Sequence, residues 1–205
     1  MQLDADAERR LVRIGWRAGP LPDDAPADAA VVRVIAQHRA GYELHDGTAP
    51  FNAQPAPRFL KRGIDPTERP AVGDFVLIVP GAPPQIERVL PRRTVLSRAA
   101  AGERHQRQLI AANVDTVIVM SGLDGDLNAA RIERYLVLIG ESGATPVIVL
   151  TKADRAGNVG AAVDTLRARV PPEVDIVAIN AKSPEGIAPL LKYFGPRSEE
   201  RRGGK

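Results

Sequence analysis

The sequence contains no cysteine and no long apolar segment, and each absence excludes a class of structure. Without cysteine, neither a disulfide framework nor a thiolate metal site can form. The three histidines (His38, His45 and His105) are scattered, and none has a partner at zinc-ligand spacing. The apolar runs are too short to cross a membrane, and the polar N-terminus does not resemble a signal peptide. We therefore expect a cytoplasmic protein with no metal ligands and no membrane partner.

Positive charge is concentrated in the middle of the chain. The net charge is +3, yet residues 31–110 alone hold 12 Lys and Arg against 7 Asp and Glu, while residues 111–205 are balanced. A basic module joined to a neutral one suggests that the first module meets nucleic acid. A solvated basic face explains the same charge, and charge alone favours that plainer interpretation.

Residues 31–92 carry the pattern of a small β-barrel. About five short β-branched or alternating segments are separated by turn signals such as Asp46-Gly47. This pattern predicts a barrel of OB-fold or SH3-like type, and OB-folds commonly bind oligonucleotides. Residues 1–30 contain a Gly- and Pro-rich stretch and are expected to form a flexible leader. Trp16, the only tryptophan, can dock on the barrel.

A basic connector is predicted over residues 93–110. Arginine suits bidentate contacts with phosphate, so this region is a candidate for tracking an RNA backbone. The candidate RNA-binding residues are Arg92, Arg93, Arg98, Arg104 and Arg107. An interdomain linker that needs no partner explains the segment equally well.

From residue 111 to residue 196 the pattern changes to alternating strands and helices. The predicted elements cover about 114–120, 128–140, 146–150, 159–170, 174–179 and 184–194. Such alternation demands a parallel sheet with right-handed crossovers. The predicted fold is therefore a β-barrel (OB-fold) followed by an α/β parallel-sheet domain, and the charged residues 197–205 are expected to be a disordered tail.

Two successive strands of the predicted sheet end in polar motifs. Thr151-Lys152-Ala153-Asp154 follows one strand, and Asn180-Ala181-Lys182 follows the next. Ligands bind at the carboxyl ends of strands in open α/β sheets. The Asp154 carboxylate can accept hydrogen bonds from the N1–H and the 2-amino group of guanine. Adenine would leave that carboxylate unpaired, at a cost of roughly 1–3 kcal/mol. The alkyl stem of Lys152 can cover the purine face.

The first motif also has an ordinary structural explanation. Lys-x-Asp after a strand describes the start of a helix capped by Asp154. Asp154-Arg155-Ala156-Gly157 fits the letters D-x-x-G, which we interpret as coincidence because Asp154 is already assigned to the base. The occurrence of both polar motifs on successive strands favours the guanine site.

With both motifs in place, the chain resembles the RsgA (YjeQ) family of circularly permuted, small-ribosomal-subunit-dependent GTPases, over roughly residues 31–196. The resemblance is carried by RPAVGDFV (69–76), VLPRRTVLSR (89–98), IAANVDTVIVMSGLDGDLNAARIERYLVL (110–138), PVIVLTKAD (146–154) and NAKSPEGI (180–187). It implies that Thr151, Lys152, Ala153 and Asp154 match the guanine-specificity motif, and that Asn180, Ala181 and Lys182 match the second guanine loop. Thr151 stands where Asn is usual and Asn180 where Ser is usual, and neither change should abolish base recognition.

The resemblance also implies an order of parts: an OB-fold that contacts ribosomal RNA, a permuted GTPase domain whose phosphate loop follows the base motifs, and a final zinc domain. The 205 residues contain no match to the phosphate-loop pattern G-x-x-x-x-G-K-[ST]. We therefore expect an N-terminal portion with an incomplete GTPase domain over 111–196. No catalytic residue is expected in this chain, and Mg²⁺ and Zn²⁺ are expected only in the intact family protein.

The expected function is ribosome biogenesis. The intact protein would hydrolyse GTP to GDP and phosphate during late maturation of the 30S subunit, with the 30S subunit and its 16S rRNA as partners. The chain itself is expected to be a monomer that binds GTP through its guanine half, is inactive alone and has a less stable C-terminal half. The alternative is a stand-alone rRNA-binding module without GTPase activity, which would have no reason to carry both guanine motifs.

Overall fold

The structure is a computed structural model that describes residues 3–17, 19–99 and 107–194. The chain divides into two compact units, Met1–Val114 and Asp115–Lys205. The first unit contains a barrel, and the second contains a parallel sheet with helices. The predicted disordered tail, residues 197–205, lies outside the described residues.

A closed five-stranded barrel forms the centre of the first unit. Its strands are β1 (Ala30–His38), β2 (Gly41–His45), β3 (Pro50–Pro55), β4 (Phe75–Val79) and β5 (Gln85–Val89). Their order around the barrel is β1-β2-β3-β5-β4. Only β3 and β5 pair in parallel among these neighbours; the other pairs are antiparallel. The prediction of an OB-like barrel is confirmed.

Alternating apolar side chains fill the barrel interior. Five of them are at most 1% exposed: Val32, Val34, Leu44, Val76 and Ile86. Their spacing follows the period of two that a pleated strand requires. Full burial of each such side chain stabilises the fold by about 1.5–3 kcal/mol, so the barrel is a rigid base for its loops.

The segment expected to be a flexible leader contains a helix, α1 (Ala5–Arg13), capped by the Asp4 side chain. Leu11 and Trp16 are buried against Phe75, and the Trp16 and Phe75 rings meet edge to face with centroids 4.9 Å apart. The described part of the leader therefore packs on the barrel. Its Gly and Pro content predicted mobility because local composition does not register this distant apolar contact.

The predicted connector contains a β-hairpin. Strands β6 (Val95–Ala99) and β7 (Arg107–Ala112) pair antiparallel, with a register shift after Leu96 that obscures any clear period in the sequence. The backbone N–H of Ala112 donates to the carbonyl oxygen of Val72 at 2.9 Å. This bond ties the hairpin to the barrel unit, so residues 93–110 include folded structure in addition to a link.

The second unit is a three-stranded parallel sheet in the order β10-β9-β8. Its elements are β8 (Thr116–Gly122), α2 (Ala129–Ser142), β9 (Thr145–Thr151), α3 (Val159–Arg167), β10 (Asp175–Ala178) and α4 (Pro184–Ile187), and a 3₁₀ segment (Ala188–Tyr193) follows α4. The predicted alternation and parallel sheet are confirmed. No helix of the described residues is both long enough and apolar enough to span a membrane.

The central strand of this sheet is the one that the apolar run predicted. Val147 to Leu150 in β9 are at most 2% exposed, because the strand is covered on both faces. The Asn128 side chain caps α2 by accepting a hydrogen bond from the Arg131 N–H, and Gly143 ends the helix in the left-handed region at φ 80°. These signals fix where β9 begins and therefore where its polar end emerges.

Candidate functional site

The two polar motifs lie at the same edge of the parallel sheet. Thr151 is in register with Gly122 of β8, and Leu150 is in register with Ala178 of β10, so the three strands finish level. The N–H of Ala153 donates to the carbonyl oxygen of Ile179 at 3.1 Å. This bond joins the loop after β9 to the loop after β10. The sheet therefore brings Thr151–Asp154 beside Asn180–Lys182.

The first motif leaves the strand through an unusual backbone turn. Thr151 is half-buried, and its Oγ1 donates to the carbonyl oxygen of Ser121 at 3.4 Å. Lys152 has φ 61°, in the left-handed region that costs a non-glycine residue about 1–2 kcal/mol. The turn redirects the chain at the strand tip. A strained backbone conformation persists only where surrounding contacts hold it in place. Here the contacts that hold Lys152 are made by residues of the candidate site.

Asp154 presents a free carboxylate at this edge. It lies in a short 3₁₀ turn, Ala153–Arg155, and is exposed. In the part of the chain that the structure describes, its carboxylate has no hydrogen-bond or ion-pair partner. The alternative explanation of Asp154 as a helix cap is not observed, since Asn158 caps α3 by accepting from the Ala161 N–H. Asp154 is thus available to accept hydrogen bonds from a ligand.

The second motif forms a tight loop against α4. Asn180 Oδ1 accepts from the Lys182 N–H at 3.1 Å, and Ser183 Oγ accepts from the Gly186 N–H at 3.0 Å. A Cβ at Gly186 would lie only 2.0 Å from the Asn180 carbonyl oxygen, so a side chain there would displace the loop. Ala181 is exposed and small, which leaves the backbone of this loop open to an approaching base.

Asp124 belongs to the same edge although the sequence analysis did not select it. Its Oδ2 accepts from Lys152 Nζ at 2.6 Å. That hydrogen bond lowers the pKa of Asp124; burial opposes the shift, and the positive charge of the same ammonium adds to it. A Cβ at Gly122 would lie 2.6 Å from Asp124 Oδ1, so the missing side chain admits the carboxylate. The sequence did offer one indication of this role: Asp124 follows β8 directly, at the edge of the sheet where β9 also ends.

Arg92, one of the predicted RNA-binding residues, is held within the barrel unit by several hydrogen bonds. Its Nε and Nη2 both donate to Asp74 at 2.7 Å, and Nη2 also donates to the carbonyl oxygen of Arg69 at 2.8 Å. The Arg92 side chain is only 13% exposed, and the Asp74 side chain is fully buried. These contacts use the donors that a phosphate would need.

The other four predicted RNA residues have different environments. Arg98 is exposed and donates to Gln108 Oε1 at 3.1 and 3.2 Å. The backbone N–H of Arg93 donates to Asn113 Oδ1 at 2.9 Å. Arg104 and the side chain of Arg107 lie outside the described part of the chain. Of these residues, Arg98 is the one whose guanidinium contacts are described here, and it is exposed.

A basic cleft of about 850 Å³ opens on the barrel unit between the segment after β3 and strand β5. Its lining includes the basic residues Arg58, Lys61, Arg62, Arg88 and Arg92, the acidic Glu68, and several apolar residues. Arg58 Nε and Nη2 are buried without a hydrogen bond, although Nη2 lies 3.4 Å from the Glu87 carboxylate. Lys61 and Arg62 are exposed and have no ion-pair partner among the described residues. Sequence analysis missed this cleft. The available indication was the group of basic residues Arg58, Lys61 and Arg62.

No cluster of three or more His, Cys, Asp or Glu side chains suited to a metal ion occurs among the residues that the structure describes. We therefore assign none of them to Mg²⁺ or Zn²⁺.

Two solved structures share the fold of this chain. The chain is similar to YjeQ from Thermotoga maritima, with a TM-score of 0.61 and 22% identity over 80% of this chain and 56% of that one. It is also similar to YloQ, described as a circularly permuted GTPase, with a TM-score of 0.57 and 18% identity over 84% of this chain and 59% of that one.

The model of the RsgA GTPase family matches residues 89–199, more than half of the chain. The chain therefore belongs to the RsgA GTPase family, and the resemblance drawn from its sequence is confirmed. Among curated relatives, the small ribosomal subunit biogenesis GTPase RsgA of Xylella fastidiosa strain 9a5c is 44% identical over 201 residues, which cover 92% of this chain and 57% of that protein. The protein of the same name from Xanthomonas campestris pv. campestris strain B100 is 42% identical over 195 residues, 90% of this chain and 53% of that protein. The chain thus spans little more than half the length of these relatives.

Proposed function

We propose that this chain supplies the guanine-recognition half of a GTPase that acts in biogenesis of the small ribosomal subunit. The observation that carries this proposal is the unpaired Asp154 carboxylate, exposed at the carboxyl edge of the sheet beside the Asn180–Lys182 loop. An ionised carboxylate at this place matches the two adjacent donors of guanine, N1–H and the 2-amino group. Adenine presents a lone pair at N1 and no 2-amino group, so it would meet Asp154 without a bond.

The other motif residues have supporting roles in this proposal. The stem of Lys152 covers one face of the purine while its ammonium stays at the edge. An N–H of the loop around Ala181 approaches the guanine O6, and Lys182 flanks the ring. Thr151 secures the strand tip through its bond to Ser121. Ala153 links the two loops through its bond to Ile179.

Hydrolysis of GTP belongs, in this proposal, to the whole family protein. Transfer of a phosphoryl group depends on groups that position and stabilise the phosphates. The 205 residues contain no G-x-x-x-x-G-K-[ST] pattern to provide a phosphate loop. We expect this chain alone to bind guanine compounds weakly and to hydrolyse GTP at a negligible rate. Measurable turnover by the chain, stimulated by 30S subunits, would contradict this expectation.

The proposed partners are the 30S ribosomal subunit and its 16S rRNA, met in the cytoplasm by a monomeric chain. The curated relatives are named for biogenesis of the small subunit. On this chain, the proposed contacts are the basic cleft with Lys61 and Arg62 and, on the hairpin, Arg98. A function as a stand-alone rRNA-binding module is the second candidate, and the same cleft favours it.

Ligand-observed NMR with guanosine and adenosine at millimolar concentration tests the proposed function. Nucleosides are suitable probes because the proposed site contacts the base. We expect saturable binding of guanosine, much weaker binding of adenosine, and loss of the difference in Asp154→Ala. Asp164→Ala, an exposed carboxylate on α3, is the matched control. Equal binding of both nucleosides, or an unchanged preference in Asp154→Ala, would overturn the proposal and favour the RNA module.

A further inference from the structure

We propose that Asp124 is a positioning residue for guanine recognition, which holds the Lys152 side chain in place at the base site. The inference rests on the proposed guanine function and adds a residue that neither motif contains. Lys152 Nζ and Asp124 Oδ2 are 2.6 Å apart, the length of a strong charge-assisted hydrogen bond. The two residues belong to the loops after β8 and β9, which end side by side.

A lysine side chain is long and flexible, so its usefulness as a wall for a planar base depends on an anchor. Free lysine samples many rotamers, and a base that packs on its stem must first restrict them. Here the ammonium is already held by Asp124, and the backbone of Lys152 is fixed at φ 61°. The stem is thereby restricted at both ends before any ligand arrives.

Asp124 can serve as an anchor because its own loop is fixed. The Leu123 N–H donates to the Thr151 carbonyl oxygen at 3.0 Å, which ties the loop to β9. Further along the loop, the Asp126 carbonyl oxygen accepts from Ser121 Oγ at 3.0 Å and from Arg131 Nη2 at 2.9 Å. The carboxylate thus projects from a short segment that is bonded on both sides.

Gly122 is the third part of this arrangement. A Cβ there would lie 2.6 Å from Asp124 Oδ1 and 3.5 Å from Lys152 Nζ. The side chain that glycine lacks would occupy the space in which the two charged groups meet. Asp154 remains free of this pair, so one carboxylate reads the base while the other orients the lysine beside it.

The experiment compares Asp124→Asn with Asp124→Glu and with the control Asp126→Asn. The control removes a carboxylate from the same loop, but one that pairs with Arg131 instead of Lys152. Guanosine affinity is measured by NMR titration, the mobility of the Lys152 side chain by ¹⁵Nζ and ¹³Cε relaxation in the free chain, and folding by thermal melting.

We expect Asp124→Asn to weaken guanosine binding about two- to fivefold, the range for loss of one partly exposed ion pair. Lys152 should become more mobile, while the melting temperature stays nearly unchanged. Asp124→Glu should restore most of the affinity, and Asp126→Asn should leave both the affinity and the mobility unchanged. In a Lys152→Met background, Asp124→Asn should have no further effect on affinity.

The failure of this inference is distinguishable from failure of the proposed function. If wild type binds guanosine and Asp124→Asn binds it equally well, Asp124 is an ordinary surface partner and the inference is overturned. If wild type does not bind guanosine, the proposed function fails. The relaxation of the Lys152 side chain still shows whether Asp124 holds that side chain in place. Unchanged mobility in Asp124→Asn would then contradict the anchoring of Lys152 as well, whereas increased mobility would show that Asp124 anchors Lys152 without a role in guanine recognition.

Discussion

Arg92 and Asp74 form a buried bidentate pair in the barrel unit. Arg92 Nε and Nη2 each lie 2.7 Å from a different carboxylate oxygen of Asp74, and Asp74 also accepts from the Ala71 N–H at 2.8 Å. Arg92 Nη1 donates to the carbonyl oxygen of Thr67. The pair therefore connects the end of β5 to the start of β4 and to the 3₁₀ turn at Pro66–Glu68.

Replacement of Arg92 by Ala should unfold the barrel unit much more readily. The change leaves Asp74 buried with an unpaired charge, which typically costs about 3–5 kcal/mol. Arg98→Ala, at an exposed position, should change the free energy of unfolding by no more than about 0.5 kcal/mol. Urea denaturation of both variants measures the difference. Equal stability of the two, with RNA binding lost only in Arg92→Ala, would restore Arg92 as an RNA contact.

The basic cleft makes a prediction about RNA. Lys61→Ala with Arg62→Ala should weaken binding to 16S rRNA fragments and lower the slope of log affinity against log salt by up to about 2, since each phosphate contact contributes about 0.7–0.9. The measurement is a filter-binding or anisotropy titration across salt concentrations. Arg134→Ala, which removes one exposed charge from α2, should change neither quantity. An unchanged slope in the double variant would place the RNA contact elsewhere.

Gly186 should be essential for the second guanine loop. In Gly186→Ala the new Cβ would lie 2.0 Å from the Asn180 carbonyl oxygen, so Asn180 must move. This movement would break the hydrogen bond between the Lys182 N–H and Asn180 Oδ1. We expect loss of guanosine binding with the sheet retained, as read from NMR titration and chemical shifts. Gly140→Ala on α2 is the control, because its Cβ meets nothing within 4 Å and helix propensity improves. Full affinity in Gly186→Ala would show that this loop does not contact the base.

Acid should loosen the 3₁₀ segment Ala188–Tyr193 of the second unit. Tyr193 Oη donates to Asp175 Oδ2 at 2.5 Å, and this bond, with the charge of Lys192, lowers the pKa of Asp175. Because the folded pKa lies below the unfolded value of about 3.9, the contact contributes fully above that pH and is lost as the pH falls through the lower folded value. The Tyr193 ring resonances report this change, and in Asp175→Asn they should be insensitive to the same titration. A transition centred near neutral pH would contradict the assignment.

The sequence predicted the features that depend on local pattern. The apolar run at Val147–Leu150 and the polar residues after it identified the central strand and its ligand edge. A continuous run of apolar residues is typical of a strand that is buried on both faces of a parallel sheet. Asn128 and Gly143 likewise indicated the bounds of α2 through ordinary capping chemistry. Both guanine motifs could be placed together because parallel strands end at one edge.

Features that depend on long-range contact could not be predicted in the same way. Asp124 pairs with a lysine 28 positions away, and nothing in its own neighbourhood indicates that partner. Arg92 looked like part of a basic run, yet its partner Asp74 lies 18 positions earlier and is buried by the folded barrel. Trp16 and Leu11 are likewise buried against strand residues, such as Phe75 and Leu77, that follow them in the chain.

The most direct test of guanine recognition is the base preference of Asp154→Asn. Xanthine has a 2-oxo group where guanine has its 2-amino group, so an amide at position 154 can accept from N1–H and donate to that oxygen. We predict that wild type prefers guanosine over xanthosine in NMR titrations and that Asp154→Asn reverses the preference, by about tenfold or more in the ratio of affinities. A variant that still prefers guanosine, or that binds both nucleosides as wild type does, would show that Asp154 does not read the base.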